Sequence, residues 1–226
     1  SGHSKWSTIK RKKGAADAKR GAVFTRLSKD ITLAARDGGG DPDMNPSLRL
    51  AIKKAKSSNM PMSNIDRAVK KGTGDLPGVV YEDFLYEGYG PNGVAILIEV
   101  LSDNKNRTFP EIKSIMTKNG GSLGESGCVN WMFEKKGTIV ISKESIEEED
   151  LIDVFDMNID DINQEEDSFE IISPPESFGS LSKFFEEKNI DIDGQVSLVP
   201  KNTINVSEDD AVKIIKLLEL IEDHED

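Results

Sequence analysis

Five cations crowd the first thirteen residues: Lys5, Lys10, Arg11, Lys12 and Lys13, with Trp6 among them. Lys and Arg at this density pair with phosphates and release the counterions condensed on a polyanion, which supplies affinity without sequence preference. A Trp set among cations can stack on a base or ribose. More cations follow at Lys19 and Arg20, at Lys53, Lys54 and Lys56, at Arg67, Lys70 and Lys71, and in the loop carrying Lys105 and Arg107. Together these residues form the candidate nucleic-acid-binding surface. The helical lysines alone describe only a solvated face, and the arm alone only a tail. Their sum, set against the rest of the chain, points to a polyanion.

Other chemistries find little support. Residues 88–93 read G-Y-G-P-N-G and match G-x-G-x-x-G, but a dinucleotide site needs a strand before the glycines and a helix after them. Here a strand follows, and Pro91 fits the turn of a hairpin. Val94 and Ala95 stand where a P-loop needs Lys and Ser or Thr. Asn189-x-Asp191-x-Asp193-Gly194 has the spacing of a calcium loop, but Pro200 occupies the place of its bidentate Glu, so it reads as a turn. The acids of Glu147–Asp150 suit the first turn of a helix, where the dipole favours them. The chain has one Cys and two His, at positions 3 and 224, which excludes a Cys-based zinc site within one chain. Cys128 lies at the edge of an apolar strand and reads as a quiet thiol. No catalytic residue, metal site or cofactor is nominated, and neither an enzyme nor a small-molecule substrate is expected.

The charge is strongly segregated. Residues 1–72 hold 17 Lys and Arg against 6 Asp and Glu, a net of +11, while residues 73–226 hold 12 against 35, a net of −23. Such asymmetry marks a basic region for a polyanion and an acidic remainder that repels unspecific nucleic acid. At 36% apolar and 31% charged residues the chain is polar, yet apolar enough to form a core. The longest apolar stretch, Val94 to Ile98, is far too short to span a bilayer, and no secretory leader opens the sequence. A cytoplasmic protein without a membrane partner is expected.

The elements that must position these residues follow from periodicity. Val23, Phe24, Leu27, Ile31, Ala34 and Ala35 lie on one helical stripe, ended by Asp37 and Gly38–Gly40. Asn45-Pro46 caps a second helix with Leu48, Ala51, Ile52 and Ala55 inward. Ser63-x-x-Asp66 suggests a capping box for a third, ending at Lys70-Lys71-Gly72. GTGDLPG at 72–78 is a linker. Strands are then expected at 79–86, 94–101 and 129–133, with a helix capped by Thr108 running to 119–121. The series of a strand at 138–142, a helix at 145–157, strands near 159–162 and 169–172, a helix at 177–188 and a strand at 190–199 has the β-α-β-β-α-β order of a ferredoxin-like unit. A final helix, 208–222, carries Ala211, Ile214, Ile215, Leu218 and Ile221 inward. It is expected to pack, through Leu218 and Ile214, on the 94–101 strand or the 109–118 helix. The expected fold is α+β. A basic arm and helical bundle (1–76) precede a discontinuous middle α+β domain (77–136 plus 200–226), into which a ferredoxin-like domain (137–199) is inserted.

Several blocks, in order, resemble the YebC/PmpR family: GHSKW at 2–6, IKRKKGAADAKRG at 9–21, AARDGGGDPDMNPSLRLAI at 34–52, NMPMSNIDRAVKKGTG at 59–74, YEGYGPNGVA at 86–95, DNKNRT at 103–108 and GGSLGESGCVNWMFEKKG at 120–137. The resemblance implies a three-domain, non-enzymatic cytoplasmic factor. It further implies a probable DNA-binding transcriptional regulator or, as the alternative, a ribosome-associated translation factor that binds ribosomal RNA; mitochondrial relatives are translational activators for a respiratory-chain subunit. It also strengthens the reading of Lys105 and Arg107 as phosphate contacts, because DNKNRT is one of its densest blocks.

Overall fold

The structure, a computed structural model, describes residues 20–226. The candidate residues Lys5, Trp6, Lys10, Arg11, Lys12, Lys13 and Lys19 lie outside the described residues. A three-helix region is followed by two antiparallel sheets with their helices. The described chain falls into two compact units, one of residues 27–75 and 135–199, the other of 20–26, 76–134 and 200–226.

From Leu27 onward α1 (Arg20–Gly38) belongs to the first unit, where it buries Leu27, Ile31 and Ala35 at steps of four. Asn45 then does two jobs. Its side-chain oxygen caps α2 (Pro46–Ser57) by accepting from the Leu48 N–H, while its amide donates to the carbonyls of Ala34 and Gly39. One residue thus ends the turn and starts the next helix. Helix α3 (Met62–Thr73) departs from the expected capping box. Its N-cap is Pro61, whose carbonyl accepts the Asn64 and Ile65 N–H groups, and Ser63 sits two residues inside the cap position. Gly72 is not the stop either. A Cβ there would stand 2.3 Å from the Thr32 carbonyl oxygen, so it marks the closest approach of α3 to α1, and the helix ends one residue later with Gly74 left-handed at φ +79°.

The same unit holds β4 (Phe133–Ser142), α5 (Glu148–Phe155), β5 (Asp161–Gln164), β6 (Ser168–Ser173), α6 (Phe178–Glu187) and β7 (Asp193–Pro200), with sheet order β5-β6-β4-β7. This is the strand order of a split β-α-β unit. Ile139, Ile141 and Ile171 on one sheet face pack with Val154, Phe178, Leu181 and Phe185, and Leu50 of α2 packs against this core. The strand expected at 129–133 is not formed: Asn130–Met132 are a 3-10 turn, and the strand expected at 138–142 instead begins five residues earlier, as β4. Gly137 does not interrupt it; a Cβ there would meet the Ser173 Oγ at 2.7 Å, so the residue serves tight cross-strand packing.

In the second unit β1 (Glu82–Tyr89) lies between β2 (Ala95–Ser102) and the short β3 (Ser122–Leu123). β1 starts three residues later than Val79 suggested, because the ladder ends at Glu82↔Ser102, and Val80 is exposed. Helix α4 (Lys105–Lys118) begins earlier than expected. Asn104 caps it by accepting from the Arg107 N–H, and Thr108 is buried inside the first turns. The last helix, α7 (Glu208–Glu222), packs on α4 and on the β1–β2 sheet. The core comprises Tyr86, Ile96, Ile98, Val100, Ile112, Met116 and Leu217. Leu217, absent from the expected stripe, is the fully buried residue of α7; Leu218 and Ile221 are half-buried against the same core, and Ile214 is buried.

Candidate nucleic-acid interface

Arg20 opens α1. On α2 and α3 the basic residues differ in their surroundings. Lys56, Arg67 and Lys70 are exposed and have no ion-pair partner among the described residues; Lys71 is half-buried and already engaged. Lys53 donates to Asp191 at 2.5 Å and Lys54 to Asp193 at 2.9 Å. Both acids belong to the 189–194 turn that resembled a calcium loop, so two of its carboxylates face lysines of α2. Arg49 also reaches Glu186 at 3.4 Å. These pairs are solvent-exposed and worth about 0–1 kcal/mol each. A phosphate can therefore displace the acid, although the acid's charge stays close by.

Lys105 and Arg107 stand at the start of α4, in the other unit. Lys105 Nζ lies 4.9 Å above the Phe84 ring, a cation–π contact. Arg107 bridges Asp103 at 3.1 Å and Asp226 at 2.7 Å, and Asp226, then Asp103, hold its guanidinium still more firmly charged. The Asp226 carboxylate also accepts from Thr108 at 2.7 Å and Ser102 at 3.3 Å, and the two hydroxyls lie 2.7 Å apart. Arg107 is thus part of a polar clamp between the helix start and residue 226. Lys105 is the freer cation of the pair.

A further arrangement was not legible in the sequence. Inward residues Phe84, Tyr86 and Gly88 of β1 leave Leu85, Glu87 and Tyr89 on the opposite face. Glu87 is nonetheless buried, at 3% exposure. Its carboxylate accepts the backbone N–H groups of Gly127 at 2.7 Å, Val129 at 2.8 Å and Asn130 at 2.8 Å, and its carbonyl accepts from Gly124 at 2.8 Å. Burial pushes this carboxyl up, but the three N–H groups outweigh it and hold it below the ordinary carboxylate range. The loop so fixed carries Cys128 and Trp131. Cys128 sits in this loop and not on a strand edge; its carbonyl accepts from Tyr89 Oη at 3.4 Å and from Trp131 Nε1 at 3.2 Å. In the sequence Glu87 falls one residue past the strand expected at 79–86, so nothing there marked it as a buried acid or said where its partners lie.

Among the described residues no group of three or more His, Cys, Asp or Glu could hold a metal ion, and no helix is long and apolar enough to cross a membrane. What the fold and its sites define is an α+β protein with a helical, cation-bearing region, whose distinguishing features are charged surface and a fixed aromatic loop.

Comparison with known proteins makes this specific. Residues 4–75 match the TACO1/YebC protein N-terminal domain, and residues 81–226 match the TACO1/YebC second and third domain. The chain belongs to the TACO1/YebC family. It is 52% identical over its whole length to a protein of Dictyoglomus turgidum, and 52% identical to one of Desulfotalea psychrophila, covering 92% of each; both are named probable transcriptional regulatory proteins. It is also similar to the crystal structure of a conserved hypothetical protein from Aquifex aeolicus, with a TM-score of 0.77 and 40% identity, covering 93% of this chain and 88% of that one.

Proposed function

We propose that this chain is a non-enzymatic, nucleic-acid-binding regulator of gene expression that acts in the cytoplasm. The observation that carries the reading is the segregation of charge, +11 over residues 1–72 against −23 over 73–226, with Lys56, Arg67 and Lys70 exposed on helices of the basic region. Phosphate contacts by such residues position a protein on nucleic acid without reading sequence. The name carried by the relatives, probable transcriptional regulatory protein, supports DNA as the target.

Ribosomal RNA is the second reading. It is favoured by the pairing of Lys53 and Lys54 with acids, which leaves α2 without the run of unpaired side chains that a major-groove recognition helix presents. Crosslinking in cells followed by sequencing of the attached nucleic acid tests both. Promoter DNA as the dominant species supports the first reading and ribosomal RNA the second; recovery of neither refutes the proposal.

A further inference from the structure

Trp131 is 63% exposed, yet it is not a loose side chain. It sits in the 3-10 turn Asn130–Met132, and that turn is fastened from several directions. Glu87 holds the Gly127, Val129 and Asn130 N–H groups. Lys201 Nζ donates to the Trp131 carbonyl at 2.9 Å, and the Lys201 N–H donates to the Met132 carbonyl at 2.8 Å. Trp131 Nε1 is spent on the Cys128 carbonyl, which also takes the Tyr89 hydroxyl. The fastening uses backbone groups and the polar edges of the two aromatics. What it leaves to solvent is ring surface, since Tyr89 is itself 37% exposed.

A Trp left in water forgoes the burial of a side chain of roughly 150–250 Å². Here a buried carboxylate is used to keep it displayed. With its one N–H satisfied, the indole offers a π face and no hydrogen-bond donor, the property of a surface that accepts any base. The Lys201 ammonium at the Trp131 carbonyl adds a cation of the sign a strand backbone needs. We infer that Trp131, with Tyr89 beside it and Lys201 at its backbone, is a stacking platform for an unstacked base of single-stranded nucleic acid. This rests on the nucleic-acid reading above and narrows it to strands or loops whose bases are free of a duplex.

The test uses the full chain. The sequence holds two Trp, so Trp6→Phe leaves Trp131 as the sole indole reporter. Fluorescently labelled twelve-nucleotide oligo(U) and oligo(dT), and a blunt duplex of the same length, are titrated by anisotropy while Trp131 emission is recorded. Single strands should quench Trp131 saturably and in step with the anisotropy, and the duplex should not. Trp131→Ala should weaken single-strand binding between about 5- and 150-fold, the loss of one base stack, with an unchanged salt slope because no phosphate contact is removed. Trp131→Phe should recover most of it, and thermal unfolding of both variants checks that they fold. Single-strand binding that leaves Trp131 emission and the Trp131→Ala affinity unchanged would overturn the platform and leave the nucleic-acid reading standing. No binding of strand or duplex at low salt would refute that reading, and the platform with it.

Discussion

Replacing Glu87 by Gln removes one charge and little volume, which makes it the sharpest probe of the aromatic loop. The carboxylate accepts three backbone N–H groups, one on Oε1 and two on Oε2. A Gln oxygen can keep the Val129 and Asn130 bonds as neutral ones, but its amide nitrogen then faces the Gly127 N–H, donor against donor. Hydrogen bonds to a charged group contribute about 1.5–3 kcal/mol and neutral ones about 1. At the low end of these values, one lost and two weakened bonds amount to about 3 kcal/mol. For a chain of this size unfolding as one, that is a fall of about 6–12 °C in the melting temperature. Trp131 emission in a Trp6→Phe background reports the unfolding directly, and amide exchange at Gly127, Val129 and Asn130 reports the loop. The pH dependence has a defined sign. The Glu87 carboxyl is held below its unfolded value, which is about 4.3, so its contribution is complete above that pH and is lost as pH falls through the lower, folded value. The gap between the parent and Glu87→Gln should be full at pH 7 and close at the acid end. A melting change under about 2 °C, with unaltered exchange at the three amides, would refute the role given to Glu87. A gap equally wide on both sides of the transition would refute its ionic origin.

Three further outcomes follow from the same geometry. Gly72→Ala should destabilise by about 1–3 kcal/mol in urea unfolding, because the new Cβ would stand 2.3 Å from the Thr32 carbonyl and force α1 and α3 apart; the modest gain expected of Ala over Gly in an open helix would show that the contact yields instead. Thr108→Val should cost about 1–3 kcal/mol by stripping a buried hydroxyl from Ser102 and Asp226, whereas Thr108→Ser should retain most of the stability, and equal losses in both would mean that the methyl and not the clamp matters. Replacing Lys56, Arg67 and Lys70 together by Ala should make the slope of log K against log[salt] on duplex DNA shallower by about 2.7, and an unchanged slope would remove these helices from the interface.

Local chemistry made much of the fold legible. Asn45-Pro46 marked a helix start because a side-chain acceptor followed by a residue without an N–H suits only that position. The final helix was legible because its apolar spacing is regular, although its phase slipped by one residue, from Leu217 to Leu218. What was not legible depended on partners distant in sequence. Asn104 and Thr108 are both competent caps, and the choice is made by Asp226, 118 residues from Thr108, which draws the threonine hydroxyl inward. Nothing in the sequence marked Gly137 as lying inside a strand, where a Cβ would meet the Ser173 Oγ on the neighbouring strand at 2.7 Å. Lys53 and Lys54 looked like open cations; Asp191 and Asp193, 138 and 139 residues away, stand against them.

That last pairing bears on how binding would be selective. An exposed Lys–Asp pair holds together by at most about 1 kcal/mol, so a phosphate can replace the carboxylate, but the displaced Asp remains within a few ångströms and repels it. Lys53 and Lys54 then contribute less than two bare lysines would, and α2 alone is a poor general magnet for nucleic acid. On the proposed reading Lys56, Arg67 and Lys70, which have no ion-pair partner among the described residues, would supply affinity that salt screens. A base on Trp131 would supply affinity that salt does not screen, and only where a base is free to stack. On the proposed reading, a preference for unpaired bases would come from the aromatic loop, because the segregation of charge is blind to that difference.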